Sequence, residues 1–234
     1  MADRKTLGII GGVGPLATAY FMEVIINMTE ASTDQEHIDM VVFNHAEIPD
    51  RTEYILDHSK PDPAPMMCAD AQRLEALGAD VIATPCNTAH YFYDRLTDAV
   101  QIPVLNMIEE TALVLERMGA GKVGILATNG TIAAGLFQRA LERRGIAAVV
   151  PSPENQQFVM DVIFDDVKAG RPLEVEKFRS IVDEMRLAGC DHVVLGCTEL
   201  SVLKKEYSLG SYYVDALEVL AARAIEACGK RVRR

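Results

Sequence analysis

The sequence lacks tryptophan and any apolar run long enough to cross a membrane, and its polar start gives no expectation of a secretory leader. Aromatic residues make up only 6% of the 234 residues. A membrane-spanning helix needs about 20 consecutive apolar residues, and the apolar runs here are much shorter. The chain starts with polar residues and then enters a predicted strand. We therefore expect a cytoplasmic globular protein that does not associate with membranes.

Basic residues are also scarce. Lysine and arginine number 23 against 34 acidic residues, which gives a net charge of −11. An acidic chain repels phosphate backbones, so nucleic acid is not an expected partner. The one basic cluster, Lys230–Arg234, is expected to be a frayed, solvated terminus.

Metal-binding and disulfide signatures are missing as well. The five cysteines contain no C-x-x-C motif, and the five histidines contain no H-x-x-x-H motif. An odd cysteine count without a leader predicts free thiols in a reducing compartment. No lysine lies in a recognisable pyridoxal phosphate attachment motif. We therefore expect neither a metal nor a cofactor.

What is present is an alternation of strand and helix patterns typical of an α/β protein. Eight Val- and Ile-rich strands alternate with eight helices, and the continuous apolar strands favour parallel sheets covered on both faces. The predicted strands are Leu7–Gly11, Met40–Asn44, Val81–Thr84, Val104–Met107, Val123–Thr128, Ala147–Val150, His192–Leu195 and Tyr213–Asp215. The predicted helices run over 15–30, 65–77, 88–99, 109–118, 131–144, 154–169, 174–188 and 216–228.

An internal repeat relates the two halves of the chain. Gly78 and Gly189 are each followed by an aspartate two residues later and a cysteine eight residues later, with a buried strand between them. We therefore predict two similar, doubly wound, Rossmann-like domains. The first comprises residues 1–107 and 216–234, and the second comprises residues 108–215.

The two repeated cysteines, Cys86 and Cys197, each follow a strand directly and precede a helix start. Ligands of open α/β sheets bind at that end of the strands, and amides at a helix N-terminus stabilise a thiolate. If the halves face each other, the thiols line one cleft, which favours a two-base proton transfer at carbon. A redox pair is the alternative. Cys68, Cys190 and Cys228 are predicted to be structural.

A glycine-rich turn follows the first strand. Residues 12–17 fit G-x-G-x-x-A, a weak dinucleotide signature. The second strand ends at Asn44, too far along the chain for the acidic residue of a nucleotide site. We therefore expect backbone amides of this turn to meet a small carboxylate. Two cations, Arg51 after the second strand and Lys168 at the end of a predicted helix, could grip an anion. The alternatives are a surface-loop cation for Arg51 and a partner of the helix dipole for Lys168.

Three segments together resemble the aspartate/glutamate racemase superfamily, and most closely its aspartate racemase branch. They are Ile9–Thr18 (IIGGVGPLAT), Thr84–His90 (TPCNTAH) and Leu195–Leu200 (LGCTEL), in the family's order and spacing. The resemblance covers essentially the whole chain. It implies two pseudo-symmetric α/β domains with the active site between them, a homodimer, and cofactor-independent racemisation of an acidic amino acid.

The resemblance also implies roles for individual residues. Cys86 and Cys197 match the two catalytic bases. Glu199 stands where glutamate racemases usually carry histidine, and Val13 replaces a usual methionine and changes the pocket floor. The matched substrate-binding residues are Val13, Arg51, Thr52, Asn87, Thr88, Thr128, Lys168, Thr198 and Glu199.

Other functions remain open at this level. The same cleft would serve a hydantoin racemase, or an isomerase or decarboxylase of another carboxylic acid. It would also serve a module that binds an amino acid without reaction. A dispensable cysteine with release of CO₂ would favour the decarboxylase, and binding without exchange of the α-hydrogen would favour the module.

Overall fold

The computed structural model describes residues 4–233, which form two compact units. The first unit comprises the chain up to Met107 and the segment from Leu217 onward, and the second comprises Ile108–Ala216. None of the described helices combines the length and apolar character of a membrane-spanning segment.

The first unit is built on three parallel strands. They are β1 (Thr6–Gly11), β2 (Asp39–Asn44) and β3 (Val81–Ala83), in the order β2-β1-β3. Five of the six residues of β1 are buried, which confirms a central strand covered on both faces. The helices of this unit are α1 (Pro15–Met28), α2 (Arg51–Leu56), α3 (Ala64–Ala76), α4 (Tyr93–Ala99) and α11 (Ala216–Ala227, in this unit from Leu217), with a 3₁₀ helix at Thr88–Phe92 before α4.

The second unit repeats this arrangement. Its strands are β4 (Lys122–Ala127), β5 (Ala147–Val149), β6 (His192–Gly196) and β7 (Tyr213–Asp215), all parallel, in the order β5-β4-β6-β7. Its helices are α5 (Met107–Arg117, in this unit from Ile108), α6 (Asn129–Ala133), α7 (Leu136–Glu142), α8 (Pro153–Asp161), α9 (Val175–Leu187) and α10 (Thr198–Tyr207). A π-helical segment, Val162–Lys168, continues α8.

The glycine and aspartate of the sequence repeat have the same structural role in both units. Gly78 and Gly189 have φ values of +88° and +76° and end the preceding helix, as glycine does in the left-handed region. Two residues on, Asp80 Oδ2 accepts the Thr6 N–H at 2.7 Å, and Asp191 Oδ2 accepts the Gly121 and Lys122 N–H groups at 2.7 and 2.8 Å. Each aspartate therefore ties the third strand of its unit to the start of the first.

Replacing Asp191 by asparagine is expected to destabilise the second unit and to alter its response to acid. The N–H groups of Lys122 and Gly121 lower the pKa of Asp191. The carboxylate therefore contributes stability above about pH 4, the usual pKa of aspartate. That stability is lost as pH falls through the lower folded-state pKa. Thermal unfolding of D191N should show a lower midpoint at pH 7 and a smaller loss of midpoint below pH 4.

Asp183 provides the control, because its exposed carboxylate makes only a 3.6 Å ion pair with Arg186 on the same helix. D183N should unfold close to wild type. Equal midpoints for D191N and wild type across the acid range would contradict the role given to Asp191.

Several predicted elements differ from those observed. The predicted strand Val104–Met107 is reduced to one parallel bridge between Val104 and Ile82, because Pro103 has no N–H to donate and α5 begins at Met107. The predicted helix 131–144 is broken by Gly135, which has a φ of +61°. The predicted helix 154–169 changes to π-helical hydrogen bonding at Val162.

The prediction of a frayed basic terminus was wrong for Arg231–Arg233. The Glu30 N–H donates to the Arg231 carbonyl at 2.9 Å, and the Arg233 N–H donates to the Met28 carbonyl at 2.7 Å. Val232 forms an antiparallel bridge with Thr29. The tail is therefore held against the end of α1, while Arg234 lies outside the described residues.

Candidate active site

Most of the predicted site residues follow the first or third strand of their sheet, whereas Arg51 and Thr52 lie on α2 and Lys168 lies on the π-helical segment. In each unit the chain leaves the central first strand toward the second strand, then crosses to the third strand on the other side. The loops after these two strands diverge, which makes the ligand-binding crevice of an open α/β sheet. In the second unit Ala127 pairs with Gly196, so Thr128 and Cys197 leave neighbouring strands at the same level.

Cys86 occupies this position in the first unit. It follows β3 by three residues and is 8% exposed. Its N–H donates to the Thr84 carbonyl at 2.8 Å, and its carbonyl contacts His90 Nδ1 at 2.9 Å. Both backbone polar groups are therefore bonded.

Beside Cys86 lie buried polar atoms without partners. Both side-chain polar atoms of Asn87, Nδ2 and Oδ1, are buried and unpaired, as is the hydroxyl of Thr84. Asn87 is only 2% exposed. Leaving such groups unpaired costs about 1–3 kcal/mol each, so the amide is set to meet a ligand with both a donor and an acceptor. Thr88, the next residue, is also buried.

One amide of the glycine turn after β1 is already bonded within the turn, and the predicted contact of the turn's amides with a carboxylate stays a prediction. The Gly12 N–H donates to Thr18 Oγ1 at 3.0 Å, and that hydroxyl donates to the Gly14 carbonyl at 3.0 Å. The Gly12 amide is thus unavailable to a carboxylate, and Pro15 has no N–H at all, which also disfavours a dinucleotide. Val13 is 3% exposed and packs in the same apolar cluster as Cys86.

Arg51 opens α2 rather than lying in a loop. Asp50 caps this helix by accepting the Glu53 N–H at 2.9 Å. The Arg51 guanidinium donates from Nη1 to the carbonyls of Ile48 and Pro49, at 3.3 and 3.0 Å. Its Nε is buried without a partner, and no carboxylate in residues 4–233 pairs with it. Arg51 therefore carries an uncompensated positive charge, and the half-buried Thr52 follows it on α2.

Cys197 has a different environment in the second unit. It is the N-terminal cap residue of α10 and is 7% exposed. Its Sγ donates to Glu199 Oε2 at 2.9 Å, and the Thr198 hydroxyl contacts the same oxygen at 3.4 Å. Glu199 therefore places a carboxylate oxygen beside the Cys197 sulfur. The two cysteines thus differ, because the Cys86 thiol has no such carboxylate within the described part of the first unit.

Lys168 is engaged by the protein itself. Its Nζ lies 3.7 Å from Glu199 Oε1 and 4.1 Å above the centre of the Phe164 ring. The ammonium group balances the carboxylate beside Cys197. The structure therefore joins Lys168, Glu199, Thr198 and Cys197 in one contact network, and the substrate-binding role predicted for Lys168 stays a prediction.

Thr128 caps α6. Its Oγ1 accepts the Thr131 N–H at 3.3 Å and contacts the Thr131 hydroxyl at 3.2 Å. It is 4% exposed and follows β4 at the level where Cys197 follows β6.

Sequence reasoning missed the supporting contacts. His90, Thr84 and Thr18 fix or flank the loops of the first unit. His90 and Thr18 lie inside the segments that carry the resemblance, which was the available signal. All five cysteines are free thiols, and no metal-ligand cluster of three His, Cys, Asp or Glu groups occurs among residues 4–233.

Comparison with known proteins places these residues in context. Residues 10–224 match the family described as Asp/Glu/Hydantoin racemase. The structure is similar to an aspartate racemase from Picrophilus torridus, with a TM-score of 0.85, 35% identity, and coverage of 98% of this chain and 96% of that one. An aspartate racemase homologue from Pyrococcus horikoshii OT3 has a TM-score of 0.79, 26% identity and coverage of 96% and 99%. The broad specificity amino-acid racemase RacX of Bacillus subtilis (strain 168) is 26% identical over 94% of this chain and 96% of that protein.

Proposed function

This chain belongs to the Asp/Glu/hydantoin racemase family, and on that basis we propose that it interconverts L- and D-aspartate without a cofactor. The observation that carries the proposal is the equivalent placement of Cys86 and Cys197. Each follows the third strand of its unit at the ligand-binding end of a parallel sheet. The similarity to an aspartate racemase over 98% of the chain supports aspartate as the substrate.

The proposed chemistry is a two-base proton transfer. One thiolate removes the α-hydrogen as a proton, and the electron pair of that bond is delocalised into the α-carboxylate. The other cysteine's thiol then donates a proton to the opposite face of the carbon. One S–H bond forms and one breaks, so the two cysteines exchange protonation states in each turnover. The scheme requires that the two units present the thiols to opposite faces of one Cα.

The residues around the cysteines have matching roles in this proposal. The unpaired amide of Asn87, with Thr88 and Thr198, would hold the α-carboxylate and α-amino group. Arg51 supplies positive charge in a chain of net charge −11, where an acidic substrate needs a placed cation. Val13, Thr52 and Thr128 would complete the walls of the pocket.

In this proposal Glu199 makes the two cysteines unequal as proton donor and base at the start of a turnover. In the same scheme Cys197, whose Sγ donates to Glu199 Oε2, is the proton donor of the free enzyme. Cys86 then acts as the first base on the enantiomer whose α-hydrogen faces it. Lys168 neutralises Glu199, which lessens repulsion between that carboxylate and an anionic substrate.

A second candidate is a racemase of wider substrate range. The similarity to RacX, described as a broad specificity amino-acid racemase, favours it. The shorter, β-branched Val13 at the pocket floor is compatible with a changed side-chain preference. The homodimer and the cytoplasmic location remain predictions.

Incubation with L-aspartate in D₂O, followed by proton NMR and chiral chromatography, tests the function. We expect loss of the α-hydrogen signal together with formation of D-aspartate, without added cofactor. The same assay with glutamate and alanine separates the two candidates. CO₂ release would indicate a decarboxylase, and binding without exchange for every acid would indicate a binding module; either result would contradict the proposal.

A further inference from the structure

His90 lies next to the Cys86 loop and takes no part in the chemistry proposed above. It is four residues after Cys86, on the 3₁₀ helix Thr88–Phe92, and is 7% exposed. Its ring contacts two backbone groups, the Cys86 carbonyl through Nδ1 at 2.9 Å and the Met107 N–H through Nε2 at 3.0 Å. A buried ring with both nitrogens bonded to backbone is a candidate for positioning the loop.

The contacts determine where the ring carries its hydrogen. A backbone N–H only donates, so Nε2 accepts from Met107 and bears no hydrogen. The neutral ring therefore carries its hydrogen on Nδ1 and donates it to the Cys86 carbonyl. Burial, the largest effect, lowers the pKa of His90, which keeps the ring neutral and this arrangement in place at neutral pH.

His90 satisfies two successive carbonyls of the turn. Its ring donates to the Cys86 carbonyl, and its own N–H donates to the Asn87 carbonyl at 3.1 Å. Buried carbonyls without donors are rare because they lose hydrogen bonds to water. His90 thus fixes the backbone of both Cys86 and Asn87, the residue whose side-chain amide is unpaired. At the other side of the ring, Met107 is the first residue of α5.

We propose that His90 is a positioning residue for Cys86, acting through the hydrogen bond from Nδ1 to the Cys86 carbonyl. The inference rests on the proposed racemisation for its kinetic readout. The misplacement of a reacting group by about 1 Å costs on the order of 100-fold in rate. Loss of this bond should therefore lower kcat. KM should stay nearly unchanged, because the groups that only bind substrate are not displaced.

Two substitutions separate the two ring contacts. The side-chain NH₂ of asparagine can occupy the position of Nδ1, so H90N keeps the donor to Cys86 and loses the acceptor for Met107. The longer glutamine places its carbonyl near the position of Nε2, so H90Q keeps the acceptor and loses the donor. We expect kcat of H90Q to fall about 10- to 100-fold with KM within about threefold, and kcat of H90N to stay within about threefold of wild type.

Thiol alkylation provides a readout that needs no turnover. Iodoacetamide labelling of the intact protein, resolved by peptide mass spectrometry, gives the rate at Cys86 relative to Cys197. In H90Q the loosened loop should raise this ratio at least about threefold, whereas H90N should leave it near wild type. Y93F is the control, because it removes the 3.0 Å bond from the Tyr93 hydroxyl to the Val104 carbonyl and retains His90. It should keep both kcat and the labelling ratio.

The outcomes separate this inference from the proposed function. Equal kcat and labelling ratios in H90N and H90Q, or the larger loss in H90N, would overturn the positioning role even in an active racemase. If the wild-type protein racemises none of the acids, a raised Cys86 labelling ratio in H90Q alone still supports the role, and no change overturns it. If H90Q does not fold, the test rests on H90N. A tenfold loss of kcat or a raised Cys86 labelling ratio in H90N then overturns the inference.

Discussion

Alanine at either Cys86 or Cys197 is expected to abolish racemisation. Proton transfer by a positioned side chain contributes about 10²–10⁴-fold to rate, and alanine supplies no group that could take the place of the lost thiol. C86A and C197A should therefore lower kcat by at least about 10³-fold, measured by chiral chromatography in both directions. Full turnover by either variant would contradict the two-base scheme.

The same variants should differ in which enantiomer still exchanges its α-hydrogen. In C197A the Cys86 thiolate can remove a proton and return deuterium to the same face, which gives exchange without inversion. C86A should do this only with the opposite enantiomer. Proton NMR of pure L- and D-aspartate in D₂O distinguishes the two patterns. Exchange of the same enantiomer by both variants would show that the thiols do not act on opposite faces.

Cys190 offers a matched control within the repeat. It occupies the position equivalent to Ala79, one residue after the helix-ending glycine, so alanine is already present there in the first unit. Burial raises the pKa of Cys190, and it raises the pKa of Cys228 to about 11. Neither thiol ionises near neutral pH. C190A should keep wild-type kcat, which separates loss of a base from loss of a cysteine in general.

The repeat is the part of the fold that sequence predicts best. Gly78, Asp80 and Cys86, with their counterparts, are local to one helix end, one strand and one loop. Their spacing therefore predicts the parallel α/β class. It also predicts that both cysteines follow a strand. Composition and periodicity are sufficient to predict these features, because each of them depends on only a few neighbouring residues.

Very short elements, and contacts between residues distant in sequence, were not predictable in this way. The six-residue α2 is too short for a periodic pattern, although Asp50 and Glu53 have the spacing of a helix cap. The Gly135 break and the π-helical turns depend on single backbone angles. The hydrogen bond from the Met107 N–H to His90 and the ion pair between Lys168 and Glu199 join residues 17 and 31 positions apart, and only packing brings them together.

Arg51 should be the most important cation for the recognition of acidic substrates. Its Nε is buried without a partner and its Nη1 is anchored to two carbonyls, so the guanidinium is already oriented when an anion arrives. R51Q should lower kcat/KM for aspartate by about 100-fold, or about 2.8 kcal/mol. Most of the loss should lie in KM. R51K should recover only part of it, because lysine lacks the planar fork that binds a carboxylate through two N–H groups.

The substrate panel identifies which carboxylate Arg51 contacts. If it binds the side-chain carboxylate, R51Q should lose far more activity with aspartate and glutamate than with alanine. If it binds the α-carboxylate, all three amino acids should lose activity equally. R95Q is the control, since Arg95 is half exposed and already pairs with Asp62 at 2.7 Å. Wild-type kcat/KM for aspartate in R51Q would show that the uncompensated charge on Arg51 serves the protein and not the substrate.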